Sequence, residues 1–169
     1  MFRSRVKRLA GHANEFILNT KELKVLYQRE FPDTPCTYIM PSSALSFICS
    51  IVPSQEITVS YLGNLEIGRH KPLIEIADAL QNIDLNIFLD VYGKIADQKV
   101  KRKLIEARGV RYNGVIPYRE VISVIRKIII LIHVELFLDY YIKDLKYAFS
   151  ARLADSISSG TPLFCYASK

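Results

Sequence analysis

The chain lacks a long apolar run, a secretory leader and any grouping of cysteines, and each absence excludes a class of protein. Cys36, Cys49 and Cys165 are its only cysteines, an odd number, far apart and in no metal-ligand spacing. That pattern excludes a disulfide framework and a zinc site, and predicts buried, reduced thiols of a cytosolic protein. The opening "MFRSRVKRLAGHANEF" is basic but has no apolar h-region, so it does not read as a secretory signal. The most apolar stretch, "IRKIIILIHVELFL" at 125–138, is broken by Arg126, Lys127, His133 and Glu135. Its uninterrupted part, Ile128 to Ile132, falls far short of the ~20 residues that span a bilayer, and reads as a core strand. Neither GxSxG nor HExxH occurs, and His12, His70 and His133 are isolated from one another. No nucleophile constellation therefore emerges, and His133, inside the most apolar strand, is expected to be a satisfied core residue.

What is present is globular. Half of the 169 residues are hydrophobic and 24% are charged, enough to bury a real core in one ordinary domain with some extra. The formal charge is +6, from 23 basic and 17 acidic residues. The excess sits in "RSRVKR" at the start and between Lys94 and Arg111, where seven basic residues meet Asp97 and Glu106. Such a surface suits nucleic acid, anionic lipid or phosphorylated small molecules, and is equally what a solvated helix face looks like.

From residue 57 onward, short β-branched or aromatic runs alternate with helical patterns. The runs are "ITVSYLG", "NIFLDVYG", "GVRYNGVI", "IIILIHVE" and "PLFCYAS". Between them, "RHKPLIEIADALQ" puts Leu73, Ile76, Ala77 and Leu80 on one face, and "DQKVKRKLIEA" groups Val100, Leu104 and Ala107 under a basic surface. "PYREVISVIRK" opens with Pro117, favoured at a helix start, and "SARLADSISSG" stacks Leu153 on Ile157 and stops at Gly160. This alternation predicts an α/β fold: a doubly wound, mostly parallel, Rossmann-like sheet with helices on both faces. Residues 1–56 differ. "ANEFILNTKELKVLYQREF" reads as strand then helix with Thr20 as N-cap, and "TPCTYIMPSSALSFICSIVPSQ" as a short strand with a proline- and serine-rich connector.

Ligands of such sheets bind at the carboxyl ends of the strands. The first loop there, "YLGNLEIGRHK", has Gly63 and Gly68 five apart and then Arg69-His70. It misses the P-loop where chemistry matters, since neither the lysine nor the hydroxyl for Mg²⁺ is there, and GxGxxG is missing too. A glycine turn with a cation near a helix N-terminus remains, which suits a phosphate but is also what a plain tight turn looks like. Gly93 ends the second strand, Asn113-Gly114 is a turn signal compatible with a hairpin, and "LFLDYYIKDLKYAFSAR" is a long aromatic loop. The residues themselves point to a doubly wound domain with an anionic small-molecule site.

Four segments then carry a resemblance. "ITVSYLGNLEIGRHKPLIEIADAL", "NIFLDVYGK", "GVRYNGVIPYREVISVI" and "YAFSARLADSISSGTPLFCYAS" together resemble the C-terminal, donor-binding half of GT-B-fold, nucleotide-sugar-dependent glycosyltransferases, of the large retaining family that builds bacterial polysaccharides. The resemblance implies that Gly63 lets the backbone approach the donor diphosphate while Arg69 and Arg152 neutralise it. Gly93, Arg111, Tyr112 and Asn113 would border the base, and Asp155 would hold the ribose hydroxyls. The family often has two glutamates eight residues apart; the positions here are Tyr147, near the donor sugar with Ser150, and Asp155. These departures bear on subfamily and on the reach of the carboxylate.

The same resemblance implies no cofactor and no metal, the nucleoside-diphosphate sugar being a substrate. It implies a saccharide or lipid-linked acceptor, no nucleic acid partner, and a cytoplasmic protein whose basic face is compatible with peripheral contact at the inner face of a membrane. Residues 1–56 would be the remnant of an acceptor domain plus connector, and 57–169 the donor domain without its final helices. Such a fragment is expected to bind a donor nucleotide and transfer little sugar. The alternative is a non-catalytic nucleotide- or phosphate-binding α/β module. A receiver domain fits poorly, because Asp90 has no acidic partners at the end of the first strand.

Overall fold

The computed structural model describes residues 8, 10–43, 57–66, 68–135 and 147–166. The basic start, Cys49, most of the connector and the bulk of the long aromatic loop lie outside these residues. In the N-terminal part, β1 (Phe16–Leu18) and β2 (Cys36–Tyr38) pair in parallel around α1 (Lys21–Glu30). Thr20 caps α1 as expected, its side chain accepting from the Leu23 amide. Phe16, Tyr27 and Phe31 pack their rings together beneath this small unit.

The larger sheet takes the five strands that the hydrophobic pattern marks out: β3 (Val59–Leu62), β4 (Leu89–Tyr92), β5 (Val110–Gly114), β6 (Ile130–Val134) and β7 (Leu163–Tyr166). Every pairing is parallel, in the order β5-β4-β3-β6-β7. Among the described residues, four helices lie between them: α2 (His70–Ile83), α3 (Gln98–Ile105), α4 (Tyr118–Ile125) and α5 (Ala151–Ser158). The doubly wound, Rossmann-like expectation is what the chain adopts.

Burial follows the sequence logic. Val59, Tyr61, Leu89, Val91 and Val134 from the strands meet Leu73 and Ala77 of α2 and Leu104 of α3 in one cluster. A second cluster joins Ile125, Ile128 and Leu131 with Val121 and Ile122 of α4. The central strands β3 and β6 are covered on both faces, which explains their unbroken apolar runs.

One reading left open is decided and one expectation is corrected. Asn113-Gly114 does not turn a hairpin; it ends β5, whose parallel partner is β4, with Gly114 at φ +75° letting the chain leave the strand. Neither described thiol is buried: Cys36 is half-buried in β2, and Cys165 is exposed on β7, the edge strand of the larger sheet; neither forms a disulfide. Among the described residues, no helix is long and apolar enough to cross a membrane.

Candidate functional site at the switch point

In this strand order the connections leave β3 and β6 toward opposite faces, so a crevice is expected between their carboxyl ends. The ladder makes room for it. β3 pairs with β4 through Leu62↔Tyr92, and β6 with β7 through Val134↔Tyr166, but β3 and β6 pair only at Val59↔Ile130 and Ser60↔Leu131. Beyond those pairs the strands part. A cleft of about 240 Å³ opens there, lined by Gly63 and Gly93, by Leu131, Ile132 and His133 of β6, and by Arg152 and Asp155 of α5.

Glycines build the floor. The Gly63 amide donates to the Tyr92 carbonyl at 2.9 Å, and the Gly93 amide to the Gly114 carbonyl at 2.8 Å, so three strand-end glycines step across β3, β4 and β5. A Cβ on Gly93 would overlap the Gly63 carbonyl oxygen and lie 2.9 Å from its carbon. A Cβ on Gly63 would instead overlap the Arg152 guanidinium. The space above Gly63 is therefore the berth of Arg152, whose Nη1 donates to the Tyr61 hydroxyl at 2.6 Å. The Tyr61 hydroxyl in turn donates to the Asn64 carbonyl at 2.8 Å. Burial pushes the Tyr61 hydroxyl above its ordinary pKa, with Arg152 opposing, so it stays a neutral donor.

Arg69 precedes α2 with its side chain only 14% exposed, and its Nη2 lies 3.8 Å from Glu135 Oε2. Glu135 Oε1 in turn lies 2.8 Å from His133 Nε2. The hydrogen bond from His133, with Arg69 and Arg152 adding their charge, holds the Glu135 carboxyl below the usual carboxylate range despite partial burial. An ionised carboxylate can only accept, so His133 donates here. Asp155 lies on the opposite wall and accepts from the Ser43 hydroxyl at 2.6 Å. The neighbouring His70 is buried, and its Nδ1, like Arg69 Nε, has no hydrogen-bond partner among the described residues. Burial first, then Lys71, holds His70 below its ordinary pKa.

The structure brings together Gly63, Gly93, Arg152 and Asp155 in the cleft wall, with Arg69 behind Glu135. Tyr112 reaches the site from below, its hydroxyl donating to the Gly93 carbonyl at 2.9 Å. Arg111 and Asn113 are not brought to it: the Arg111 guanidinium stacks on Phe88 at 3.9 Å, and Asn113 donates to Asp90 at 3.1 Å. Val115, Ile116 and Tyr118, just beyond them, line the cleft instead. Ser150 is the N-cap residue of α5 without a side-chain capping bond. Tyr147 offers its carbonyl to the Thr20 hydroxyl at 3.0 Å, tying the last segment to the N-terminal unit.

Sequence reasoning overlooked Tyr61, Glu135 and Ser43, and placed His133 in the core alone. His133 is satisfied, as expected, and its partner is the Glu135 carboxylate just past the end of its own strand. The sequence marks "HVE" only as the end of an apolar run; that this strand flanks the switch point comes from the sheet order. Among the described residues, no group of three or more His, Cys, Asp or Glu side chains is placed to hold a metal ion.

No family model matches the chain, and no curated protein matches it in sequence. Solved structures do match. A mutant of S. aureus TarM in complex with fondaparinux, alpha-GlcNAc-glycerol and UDP is similar over 73% of this chain and 25% of its own, at 14% identity and a TM-score of 0.54. The pneumococcal O-GlcNAc transferase GtfA in complex with UDP and GlcNAc is similar over 93% of this chain and 31% of its own, at 16% identity and a TM-score of 0.58. A GtfA/B complex is similar over 96% of this chain and 32% of its own, at 16% identity and a TM-score of 0.55. The chain thus spans about a quarter to a third of the solved chains it matches. At these identities the likeness is one of fold: the chain has the Rossmann-like fold of the matched part of these glycosyltransferases.

Proposed function

We propose that the chain is the donor-binding portion of a nucleotide-sugar-dependent glycosyltransferase, with the cleft between β3 and β6 as its nucleoside-diphosphate site. The observation that carries this reading is Arg152 and the carboxylate of Asp155 in the wall of the cleft where the ladder between β3 and β6 opens, with Arg69 held next to it by Glu135. Two guanidiniums near a glycine floor suit a diphosphate, which they can grip with forked hydrogen bonds. A carboxylate that already accepts from a serine hydroxyl is chemically able to accept from ribose hydroxyls. UDP bound to the similar TarM and GtfA makes it the first nucleotide to try.

In this reading Arg69 and Arg152 stabilise the negative charge that grows on the departing nucleoside diphosphate. Gly93, Val115, Ile116 and Tyr118 form the apolar side toward the base, and Tyr147 and Ser150 face the sugar. No cofactor or metal is assigned, and the acceptor is a saccharide or lipid-linked saccharide. Residues 57–169 carry the donor site and residues 1–56 belong to the acceptor side and connector, so this length of chain binds donor with little transfer. Peripheral contact with a membrane would use the basic face around α3. A second reading, nucleotide binding without transfer, is favoured by Tyr147 and Asp155 standing where related enzymes carry glutamates.

Ligand-observed NMR with UDP, GDP and ADP sugars tests the proposal. One nucleotide class should give saturable binding, weakened roughly tenfold by Arg69→Ala, as expected for one charge-assisted contact. Binding by none of them, or equal binding by wild type and Arg69→Ala, removes the reading.

A further inference from the structure

An acidic residue stands among the cations beside the cleft. Glu135 leaves the carboxyl end of β6 with its side chain 25% exposed, facing His133 on its own strand, Arg69 before α2, and Arg152 on α5. Its bonds are unequal. His133 is at hydrogen-bonding distance, 2.8 Å, whereas Arg69 Nη2 at 3.8 Å is an ion pair beyond hydrogen-bond range. Arg69 Nε, buried, has no hydrogen-bond partner among the described residues. A guanidinium offers five N–H donors, and here the buried Nε–H is one without an acceptor among those residues. Arg69 is thus neutralised by Glu135 without being hydrogen-bonded by it.

We propose that Glu135 is a resident anion of the site: it holds Arg69 and His133 while no ligand is bound, and yields them to the phosphates of an arriving nucleoside diphosphate. This rests on the diphosphate reading of the cleft and adds to it a residue that lowers affinity by design. Phosphate oxygens can approach Arg69 at true hydrogen-bond distance, where Glu135 is only an ion pair at 3.8 Å. They must do so beside a carboxylate of the same sign, and that repulsion weakens binding and favours release of product diphosphate.

The test is a calorimetric titration of inorganic pyrophosphate, and of UDP, into wild type, Glu135→Gln and Glu135→Ala, each first checked by thermal melt. Gln keeps the shape and can still accept from His133 through its side-chain carbonyl; Ala serves if Gln misfolds. Both variants should bind pyrophosphate roughly tenfold tighter than wild type, since one like charge has been removed at contact. UDP should follow in the same direction. Unchanged or weaker binding by the variants, with wild type still binding, overturns the inference alone and makes Glu135 merely a support for Arg69. No binding of either ligand by any of the three proteins overturns it together with the diphosphate reading.

Discussion

Gly93→Ala should cost the fold roughly 3 kcal/mol or more, seen as a lowered urea midpoint and melting temperature. The substitution combines two penalties. The φ of +155° is one that side chains rarely adopt, and the new Cβ would overlap the Gly63 carbonyl. That obstacle is backbone, fixed from both sides: Gly63 is bonded to the Tyr92 carbonyl, and Gly93 itself to the Gly114 carbonyl. Neither can retreat without breaking the step that carries the cleft floor across β3, β4 and β5. A variant as stable as wild type would mean that the floor is not rigid.

The second large effect is on binding. Arg152→Ala should lower the melting temperature by a few degrees only, for the lost bond to Tyr61, and weaken UDP roughly 10- to 100-fold, the range of one or two charge-assisted hydrogen bonds. Arg152 stands over Gly63 in the cleft wall, bonded to the Tyr61 hydroxyl and 5.6 Å from the Tyr61 ring centroid, so its loss removes a cation that faces the cleft together with those contacts. Arg111→Ala is the matched control. Its guanidinium stacks on Phe88, away from the cleft, and UDP affinity should stay within about twofold of wild type under a rule that confines large effects to contact residues. Equal losses from both arginines would point to a diffuse field from the basic surface.

The fold was legible because hydrophobic period and breaker residues agree in the larger unit. Each of the five strands fell where a β-branched run predicted it, and Gly160 ended α5 with φ +73°, as a C-terminal stop should. Local rules failed where tertiary placement decides. Asn113-Gly114 has hairpin chemistry, yet β5 already has β4 as a parallel neighbour, so the same residues end a strand. Cys165 sits in an apolar run, but edge position exposes it. The site was half legible for a related reason. Gly63, Gly93, Arg69, Arg152 and Asp155 belong to segments with recognisable turns or helices. Glu135 follows the last residue of β6, and nothing in "LIHVE" says that the ladder to β3 stops early and opens a cleft beside it. Ser43 meets Asp155 across 112 residues, a pairing that no local pattern encodes.

The most direct test of the diphosphate site is an NMR titration of isotope-labelled protein with UDP, following the backbone amides. Saturable shifts should concentrate at Gly63, Gly93, His133, Glu135, Arg152 and Asp155, with α3 and its basic residues Lys99, Arg102 and Lys103 undisturbed. Shifts confined to α3, or none at millimolar UDP, would contradict it.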